Sequence, residues 1–469
     1  MRRALLLLAA LALPAAAQES PAPASWYAMV AEDGSWVGHG STTAAARPGG
    51  RERIDIQELR LDEDGAADVR VVEETVTRED AAGRPVSIAD FTRTGRSWSR
   101  VEARIGADEA SITRRTATER REVRVPLPAG VRFDGGAGLL PGWDRKARLD
   151  FRNFNLEAMI VERVTIEAGG PGVALRKRYD GGELRSVSRL GLDASGRIVS
   201  VVQPMFGTSV TVRSVSRDEA LAPRAPYRVL RNAMVKSPFR IPPAAMAGHI
   251  RYRFAFRDGI EFAPPATGEQ RVTVAPGEVL LDICTGCGPG LPGDAATLAD
   301  SLRPTPWLQS DHPRLKALVQ PVVRLKLTDN RKMEMLLDVG RGQMGKLDFV
   351  GHYSALETIE RHAGDCTEAA VLLAALGRAA GIPTKVVNGL AYSRARYHGV
   401  SNVFMPHSWT LAWVEGRWRS FDLALDTFDS SHIALTIGDG DARSVSAASQ
   451  LAGLLRWESM TEVRTAPVK

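Results

Sequence analysis

Alternation of apolar and polar residues is the dominant pattern in the first half of the chain, from about residue 25 to residue 215. The runs at 53–56, 101–105 and 161–166 place apolar side chains on every second residue, with one slip of phase in the last of them. Turn sequences such as the Asp-Gly-Gly at 180–182 separate the runs. Because a period of two is typical of strands that bury one face, the pattern predicts an extended antiparallel sheet with one polar face.

A second β pattern follows between about residues 221 and 276. Its clearest strand is "HIRYRFAFRDG", in which aromatic and aliphatic residues alternate with Arg251 and Arg253. Proline-rich joints flank the strand, and the stretch from Cys284 to Pro306 is rich in glycine, proline and aspartate. The sequence therefore predicts a small β module that ends in an ordered linker.

The pattern becomes helical from about residue 312. The runs "HPRLKALVQPVVRLKL", "RKMEMLLDVG" and "TEAAVLLAALGRAAGIP" come first, and the later strand-like runs are "TKVVNGLAY", "SWTLAWVEG" and "RWRSFDLAL". Helices followed by an antiparallel sheet make an α+β domain. The predicted fold class is multidomain, with a β-rich N-terminal region (an antiparallel sheet) followed by an α+β domain.

Five segments are predicted in total. They are a signal peptide, a β-rich N-terminal domain, a small β module with its linker, the α+β domain and a C-terminal tail, with boundaries at 1–17, 18–220, 221–306, 307–440 and 441–469.

The opening "MRRALLLLAALALPAAAQES" has the form of a secretory leader, with a basic start, an apolar run and small residues before Gln18. An uncleaved anchor helix is the alternative, but the apolar run is short and Pro14 interrupts it. Loss of the leader removes Arg2 and Arg3 and lowers the formal net charge from +6 to +4. No basic block with interleaved aromatic residues remains, which argues against nucleic-acid binding. No later stretch is apolar enough to span a membrane, so we expect a periplasmic or secreted protein.

The stretch "RHAGDCTEAAVLL" contains the most distinctive candidate for chemistry. Asp365 and Glu368 have the spacing of a capping box, and Gly381 provides a stop, so the sequence predicts a helix from Cys366 to Ala380. A thiol at the first helical position meets the positive end of the helix dipole, which lowers its pKa and favours the thiolate. The alternative is a buried and unreactive cysteine.

A reactive thiolate needs a base, and the base needs an acceptor that orients it. His407 precedes an apolar strand in "HSWTLAWVEGRWRSFDLALD", and Asp422 follows on the far arm of the hairpin. Residues on neighbouring strands can meet across a hairpin. Alone, His407 is more often a surface histidine and Asp422 a solvated acid, but the order Cys, His, Asp makes a catalytic set the better interpretation.

These motifs resemble the transglutaminase-like superfamily, which has a papain-like fold. The resemblance rests on "SALETIERHAGDCTEAAVLLAALGRAAGIPTKVVNGLAY" and "HSWTLAWVEGRWRSFDLAL" and covers roughly residues 312–440. It implies that Cys366 is the nucleophile, His407 the general base and acid, and Asp422 the residue that orients the imidazole. The implied partner is a protein or peptide substrate, or a component of the cell envelope, and the implied chemistry needs no cofactor and no metal.

Two positions depart from the pattern of this family. Bacterial members often carry a histidine where this chain has Ala369, and an Asp-Pro-Thr where it has Asp-Leu-Ala at 422–424. Neither change removes a member of the triad, but they put the substrate-side pocket in doubt, and the second leaves Asp426 as a rival to Asp422.

An oxyanion hole would complete such a site. The backbone N–H of Cys366 is one expected donor. The second donor should come from upstream, with Asn330, Gln343 and Tyr353 as candidates that the sequence does not rank.

Cys284 and Cys287 form a Cys-x-x-Cys motif in "DICTGCGPG". A redox motif would open a helix, whereas glycine and proline follow here, and a zinc site would need a second pair of ligands. A structural disulfide in an oxidising compartment is therefore the favoured interpretation, and it leaves Cys366 free.

Three functions remain open. The first is a transglutaminase-like enzyme that acts on amide bonds through a thioester, by acyl transfer or hydrolysis. The second is a cysteine peptidase or amidase on the same triad. The third is an inactive binding or scaffold protein, against which the retention of Cys366, His407 and Asp422 argues. The sequence does not indicate the oligomeric state.

Overall fold

The computed structural model describes residues 24–62, 69–94, 97–117, 119–205, 208–347, 352–395 and 400–464. The predicted signal peptide, residues 1–17, lies outside the described residues. None of the described helices has the length and the apolar character that crossing a bilayer requires.

The N-terminal half is one large antiparallel sheet, which confirms the predicted β-rich region. Strands that follow one another in the chain pair with each other except β8 and β9, and β1 also pairs with β14, so that β8 and β9 are the two edges. The strands of this sheet are β1 (Ser25–Ala31), β2 (Trp36–Arg47), β3 (Gly50–Leu61), β4 (Val69–Asp80), β5 (Pro85–Thr94), β6 (Ser97–Ile105), β7 (Glu109–Thr116), β8 (Arg120–Pro126), β9 (Leu149–Asn155), β10 (Ile160–Gly170), β11 (Val173–Asp180), β12 (Glu183–Leu192), β13 (Ile198–Met205) and β14 (Thr208–Val215).

The large sheet curves until its two ends approach each other. Ile112 of β7 and Val125 of β8 share a buried core with Phe154 of β9 and with Met159, which precedes β10. Contacts between β8 and β10 join the same two ends. Twisted sheets of many strands curl in this way, and the curl buries apolar side chains that a flat sheet would leave in water.

The middle of the chain forms a smaller sheet, which also includes a strand from the C-terminal segment. In β16 Ile250, Tyr252 and Phe254 are buried between exposed arginines, as predicted. The elements before and within this sheet are α1 (Arg217–Leu221), α2 (Val229–Ala233), β15 (Val235–Lys236), α3 (Pro243–Met246), β16 (Ile250–Phe256), β17 (Gln270–Ala275) and β18 (Glu278–Ile283).

The C-terminal segment differs from the expected tail. It folds into helix α9 (Ala442–Gly453) and strand β25 (Leu455–Glu462), and β25 pairs antiparallel with β16. The sheet order is β17-β18-β16-β25. A strand-like segment at the end of the chain gains its partner only through long-range pairing, which local periodicity does not reveal.

The α+β domain follows the predicted order of helices and then strands. Its elements are α4 (Ala295–Asp300), α5 (Pro313–Val323), α6 (Asp329–Gln343), β19 (Lys346–Leu347), α7 (Ala355–Arg361), β20 (Ala363–Gly364), α8 (Cys366–Ala379), β21 (Thr384–Ser393), β22 (Val403–Val414), β23 (Arg417–Phe421) and β24 (Ile433–Gly438). The central sheet has the order β15-β22-β21-β24, and β23 pairs with β22 beside β15. All of these pairings are antiparallel.

Helix α8 lies at the centre of this domain. Its side chains from Thr367 to Arg378 are buried, as expected for a helix that is covered on every side. The hydroxyl of Thr410 on β22 donates to the carbonyl of Ala370 at 3.0 Å, and that of Thr384 on β21 donates to Ala374 at 2.7 Å. These bonds fix the helix against the central sheet.

Arg114 of β7 connects the N-terminal sheet to the α+β domain. Its guanidinium lies 4.4 Å from the centre of the Trp307 ring and 3.4 Å from the Glu357 carboxylate. Glu357 also completes the capping box of α7 with Ser354. A buried arginine of the first domain therefore holds the start of a helix in the second.

Replacement of Arg114 by alanine should destabilise the protein, because it leaves the buried Glu357 carboxylate without its cation. We expect the free energy of unfolding to fall by about 1–3 kcal/mol. Denaturant titration followed by tryptophan fluorescence measures the change. The control is Arg124→Ala on the neighbouring strand, whose side chain is 80% exposed and whose loss should cost less than about 0.5 kcal/mol. Equal effects of the two changes would contradict the proposed domain link.

Candidate active site

The start of α8 has the predicted capping box. The Asp365 carboxylate accepts a hydrogen bond from Thr367 N at 2.6 Å, and the Glu368 carboxylate accepts one from Asp365 N at 2.9 Å. Cys366 is the first residue of the helix, which ends at Ala379. Local sequence therefore determines where the thiol stands on its helix.

The Cys366 sulfur lies in a gap at the edge of the central sheet. On one side of β22, β15 pairs with Val403 and Phe404, and β23 pairs with residues 410–414. Between these two partners, Sγ lies 4.0 Å from the carbonyl oxygen of Pro406, and the N–H of Ser408 donates to the sulfur. The thiol therefore contacts the backbone on both sides of residue 407.

His407 lies within β22 and is buried together with Asp422. Its Nε2 is 2.7 Å from Asp422 Oδ2. Within the described part of the chain its other nitrogen, Nδ1, has no hydrogen-bond partner. If Nε2 donates to the carboxylate, Nδ1 carries the free lone pair, which is the tautomer that a base needs.

The structure separates the two candidate acids. Asp422 follows β23 directly, and its Oδ1 accepts bonds from Ala424 N and Leu425 N at 2.8 and 3.0 Å. The Asp426 side chain is 76% exposed and pairs with Arg341 at 3.2 Å. Of these two acids, only Asp422 contacts His407 in the described structure.

Cys366 and His407 do not form a hydrogen bond with each other in the described structure, since Nδ1 is unpartnered. Catalytic hydrogen bonds are often open before substrate binds. The thiol and the imidazole–carboxylate pair therefore lie along the same stretch of β22 without a hydrogen bond between them within the described residues.

The pKa of the thiol differs from the sequence expectation. Burial raises the pKa of Cys366 well above its ordinary value, and the Asp365 carboxylate adds to the effect. Glu368 of the same capping box acts in the same direction. The helix dipole was expected to lower this pKa, but burial and the Asp365 carboxylate act against it.

His432 is a further member of the site that the sequence analysis missed. Its Nε2 lies 2.9 Å from Asp422 Oδ2, so two imidazoles share one carboxylate oxygen. Its Nδ1 lies 3.2 Å from Asp429 Oδ1. Asp429 and His432 stand three positions apart in a loop before β24. This spacing is common in sequences and does not by itself indicate a site.

The charges of this network follow from its contacts. Burial alone would raise the pKa of Asp422, but His407 and His432 outweigh it and hold that pKa well below its usual range. Burial alone would lower the pKa of His432, but Asp422 and Asp429 outweigh it and raise that pKa to about 9. His432 is therefore a cation at neutral pH.

Two groups of side chains have metal-binding atoms within 4.8 Å of one another among the described residues. In the first, His407 and His432 both lie at hydrogen-bond distance from Asp422, which makes it a hydrogen-bonded network. The second consists of His249 with Cys284 and Cys287, but the two cysteines are joined by a disulfide. Cys366 is the free cysteine of the described chain and is half-buried.

The three candidates for the second oxyanion donor occupy different places. The Asn330 amide donates to Glu334, and its carbonyl oxygen accepts from Arg419. Gln343 ends α6. Tyr353 N donates to Glu368 at 3.0 Å, which ties Tyr353 to the first turn of α8.

Two cavities lie near the site. One of about 670 Å³ is lined by Asp422, Trp413, Trp418 and the disulfide loop, but neither Cys366 nor His407 lines it. The other, of about 210 Å³, lies between the N-terminal sheet and the segment before α7, with Glu73 and His352 in its wall. Burial, followed by the nearby Asp90, raises the pKa of Glu73 to about 8. The N-terminal sheet therefore shares a cavity with the segment that precedes α7.

Residues 316–423 match the family model of the transglutaminase-like superfamily. These residues form a transglutaminase-like domain. The match confirms the resemblance seen in the sequence and supports a cysteine-type enzyme in the broad sense.

No curated protein matches the chain significantly in sequence. Among solved structures, a candidate cysteine protease from Cytophaga hutchinsonii is 17% identical with a TM-score of 0.28, over 45% of this chain and 87% of that one. The periplasmic domain of TgpA from Pseudomonas aeruginosa, bound to ethylmercury, is 16% identical with a TM-score of 0.27, over 47% and 82%. A beta-barrel-like protein of a domain of unknown function from Brucella abortus is 12% identical with a TM-score of 0.32, over 41% and 95%. Likeness at these TM-scores is too weak to assign a fold or an activity.

Replacement of Asp365 by asparagine should make Cys366 more reactive at neutral pH. Asparagine keeps the capping oxygen but removes the charge that raises the thiol pKa. We expect alkylation by iodoacetamide at pH 7.5 to become about three- to tenfold faster, as measured by mass spectrometry of the Cys366 peptide.

The matched control for this change is Asp294→Asn. Asp294 caps α4 by accepting from Ala296 N and Thr297 N at 3.1 and 3.0 Å, far along the chain from Cys366. In Asp294→Asn, Cys366 should be alkylated at the same rate as in the wild type. A slower rate in Asp365→Asn would show that Asp365 stabilises the thiolate instead.

Proposed function

We propose that this protein is a transglutaminase-like cysteine enzyme that acts on amide bonds of a protein or peptide substrate through a thioester. The observation that carries the proposal is the buried His407–Asp422 pair, whose free Nδ1 belongs to the same strand segment that the Cys366 sulfur contacts. In this role Cys366 is the nucleophile, His407 the general base and acid, and Asp422 the residue that orients the imidazole.

The first half of the reaction forms the thioester. As Cys366 Sγ attacks the amide carbonyl carbon, its proton passes to Nδ1 of His407, and the carbonyl electron pair moves to the oxygen. The raised pKa favours the protonated thiol, so in this proposal His407 takes the proton during the attack. The N–H of Cys366 is the proposed oxyanion donor, whereas the N–H of Tyr353 is already bonded to Glu368.

The second half releases the products. His407 gives its proton to the leaving nitrogen as the C–N bond breaks, so ammonia or an amine departs and the acyl group stays on sulfur. An amine in transfer, or water in hydrolysis, then gives a proton to His407 and attacks the thioester carbon, and the C–S bond breaks as Cys366 regains the proton. A cysteine peptidase or amidase uses the same triad and the same thioester, so the two functions differ in the leaving group and in the acceptor.

The setting of the reaction is also part of the proposal. The secretory form of the leader and the Cys284–Cys287 disulfide support an oxidising compartment, the periplasm or the exterior. Members of this family generally act on protein substrates. We therefore propose a protein, a peptide or a cell-envelope component as substrate, with the N-terminal sheet presenting it.

Replacement of Cys366 by alanine should abolish the activity, and His407→Gln should lower it by about 10³-fold or more. Three readouts separate the candidate reactions: incorporation of a fluorescent primary amine into a glutamine-containing protein, ammonia release from a glutamine peptide, and cleavage of a peptide bond. Turnover that survives Cys366→Ala in any of them would remove the thioester mechanism for that reaction.

Asp422→Asn should lower turnover by about 10³- to 10⁴-fold, because asparagine no longer fixes the imidazole tautomer. Asp426→Asn is the control, since Asp426 lies on the surface, and it should leave turnover within about twofold. Circular dichroism checks that both variants fold. The reverse ranking of the two variants would overturn the assignment of Asp422.

A further inference from the structure

His432 has no part in the proposed reaction, yet it is placed at the centre of the site. It is only 2% exposed, and its ring packs between Phe428 and Trp409, with ring centres 4.8 and 5.2 Å away. An apolar side chain would suit those two neighbours equally well. A buried imidazole needs polar partners, which here are Asp422 and Asp429.

The contacts of His432 form a chain that leads to the base. Asp429 Oδ1 and the Asp429 carbonyl lie 3.2 and 3.1 Å from its Nδ1. Its Nε2 lies 2.9 Å from Asp422 Oδ2, and the same oxygen lies 2.7 Å from Nε2 of His407. The N–H of Asp429 also lies 3.3 Å from Nδ1, so that nitrogen faces two acceptor oxygens and one donor. A doubly protonated ring donates to Asp422 on one side and to the oxygens of Asp429 on the other.

We propose that His432 is a positioning residue, which holds the shared oxygen of Asp422 and thereby sets the orientation and the proton affinity of His407. The inference rests on the proposed function, because it concerns the base of that reaction. His432 itself touches neither the thiol nor a reacting atom.

The sign of the effect follows from the charges that face His432. The titratable groups in contact with it are Asp422, Asp429 and His407, whose ring centre is 5.5 Å away. As a cation, His432 neutralises part of the Asp422 charge. A neutral residue in its place leaves the whole charge to His407, which then holds its proton more tightly and acts as a base only at higher pH.

Alkylation of Cys366 by iodoacetamide reads the thiol and its base without a known substrate. The wild-type rate should fall on the acid side as His407 takes up a proton and can no longer accept one from the thiol. In His432→Gln the amide still donates to Asp422, but the charge is lost. We expect the acid limb of the pH profile to move up by about one pH unit, with alkylation about tenfold slower on that limb.

The matched control is His249→Gln. His249 also pairs with a carboxylate, at 2.8 Å from Asp282 Oδ1, but it lies beside the smaller sheet. Its profile should coincide with that of the wild type, and an equal shift in this control would overturn the proposal.

Asp429→Asn tests the same series of hydrogen bonds, which runs from Asp429 through His432 and Asp422 to His407, from its far end. It removes the charge that helps to keep His432 protonated, so the acid limb should move in the same direction by a smaller amount. Within the described chain, Asp429 makes its hydrogen bonds to His432 and Ser431 and none to Cys366 or His407. A shift of the acid limb in Asp429→Asn therefore acts through His432.

The outcomes separate this inference from the proposed function. If His407→Ala leaves Cys366 alkylation at the wild-type rate, His407 does not activate the thiol, and the proposed function is overturned as well. In the second outcome, the alkylation rate depends on His407, but folded His432→Gln and Asp429→Asn keep the acid limb of the wild type. That result would overturn only the role of His432. NMR of histidine-labelled wild-type protein needs no variant: the His432 ring should stay charged at pH 7 and titrate near 9, and a neutral ring at pH 7 would overturn the proposal.

Discussion

The carboxylate of Asp422 is the group on which the arrangement of the candidate site depends. A buried carboxylate without partners is costly, because it loses its hydration. Here His407 and His432 donate to one oxygen, and the N–H groups of Ala424 and Leu425 donate to the other. These four bonds draw together β22, the end of β23 and the segment before β24, so the charge that orients the His407 imidazole also holds the loops around it.

The interruption in the edge of the central sheet is the second requirement. A continuous strand beside β22 would occupy the backbone groups of Pro406 and Ser408 and exclude the thiol. Because β15 is short and β23 begins to pair only at residue 410, the first turn of α8 can approach β22 at the level of His407. Helix capping then sets the register of Cys366 within that approach.

The remainder of the chain supports this centre through shared cores. Tyr252 and Phe254 of the smaller sheet pack in one cluster with Phe404 of β22 and with Val187 of the N-terminal sheet. Arg114 reaches from the N-terminal sheet to the start of α7. The packing therefore joins the three predicted units, and a change in the N-terminal sheet can act on the helix before Cys366.

Local features of this protein could be predicted from its sequence, because they depend on residues within one or two turns of each other. Alternation gave the strands of the N-terminal half, and the Asp365–Glu368 spacing placed Cys366 at the start of α8. Motif spacing also singled out His407 and Asp422, although Asp426 remained a rival to Asp422. Their contact needed the fold, since only the path of the chain after β23 brings Asp422 to the imidazole.

Tertiary structure alone decided the features that depend on distant residues. The pairing of β25 with β16 joins segments some 200 positions apart, and His432 reaches Asp422 through the loop before β24. The direction of the Cys366 pKa shift also belongs to this class. The sequence shows a helix dipole that favours the thiolate, but burial, which outweighs it, results from the packing of the whole domain. Periodicity and capping act within a few residues, whereas desolvation and charge pairing are set by whatever the fold places nearby.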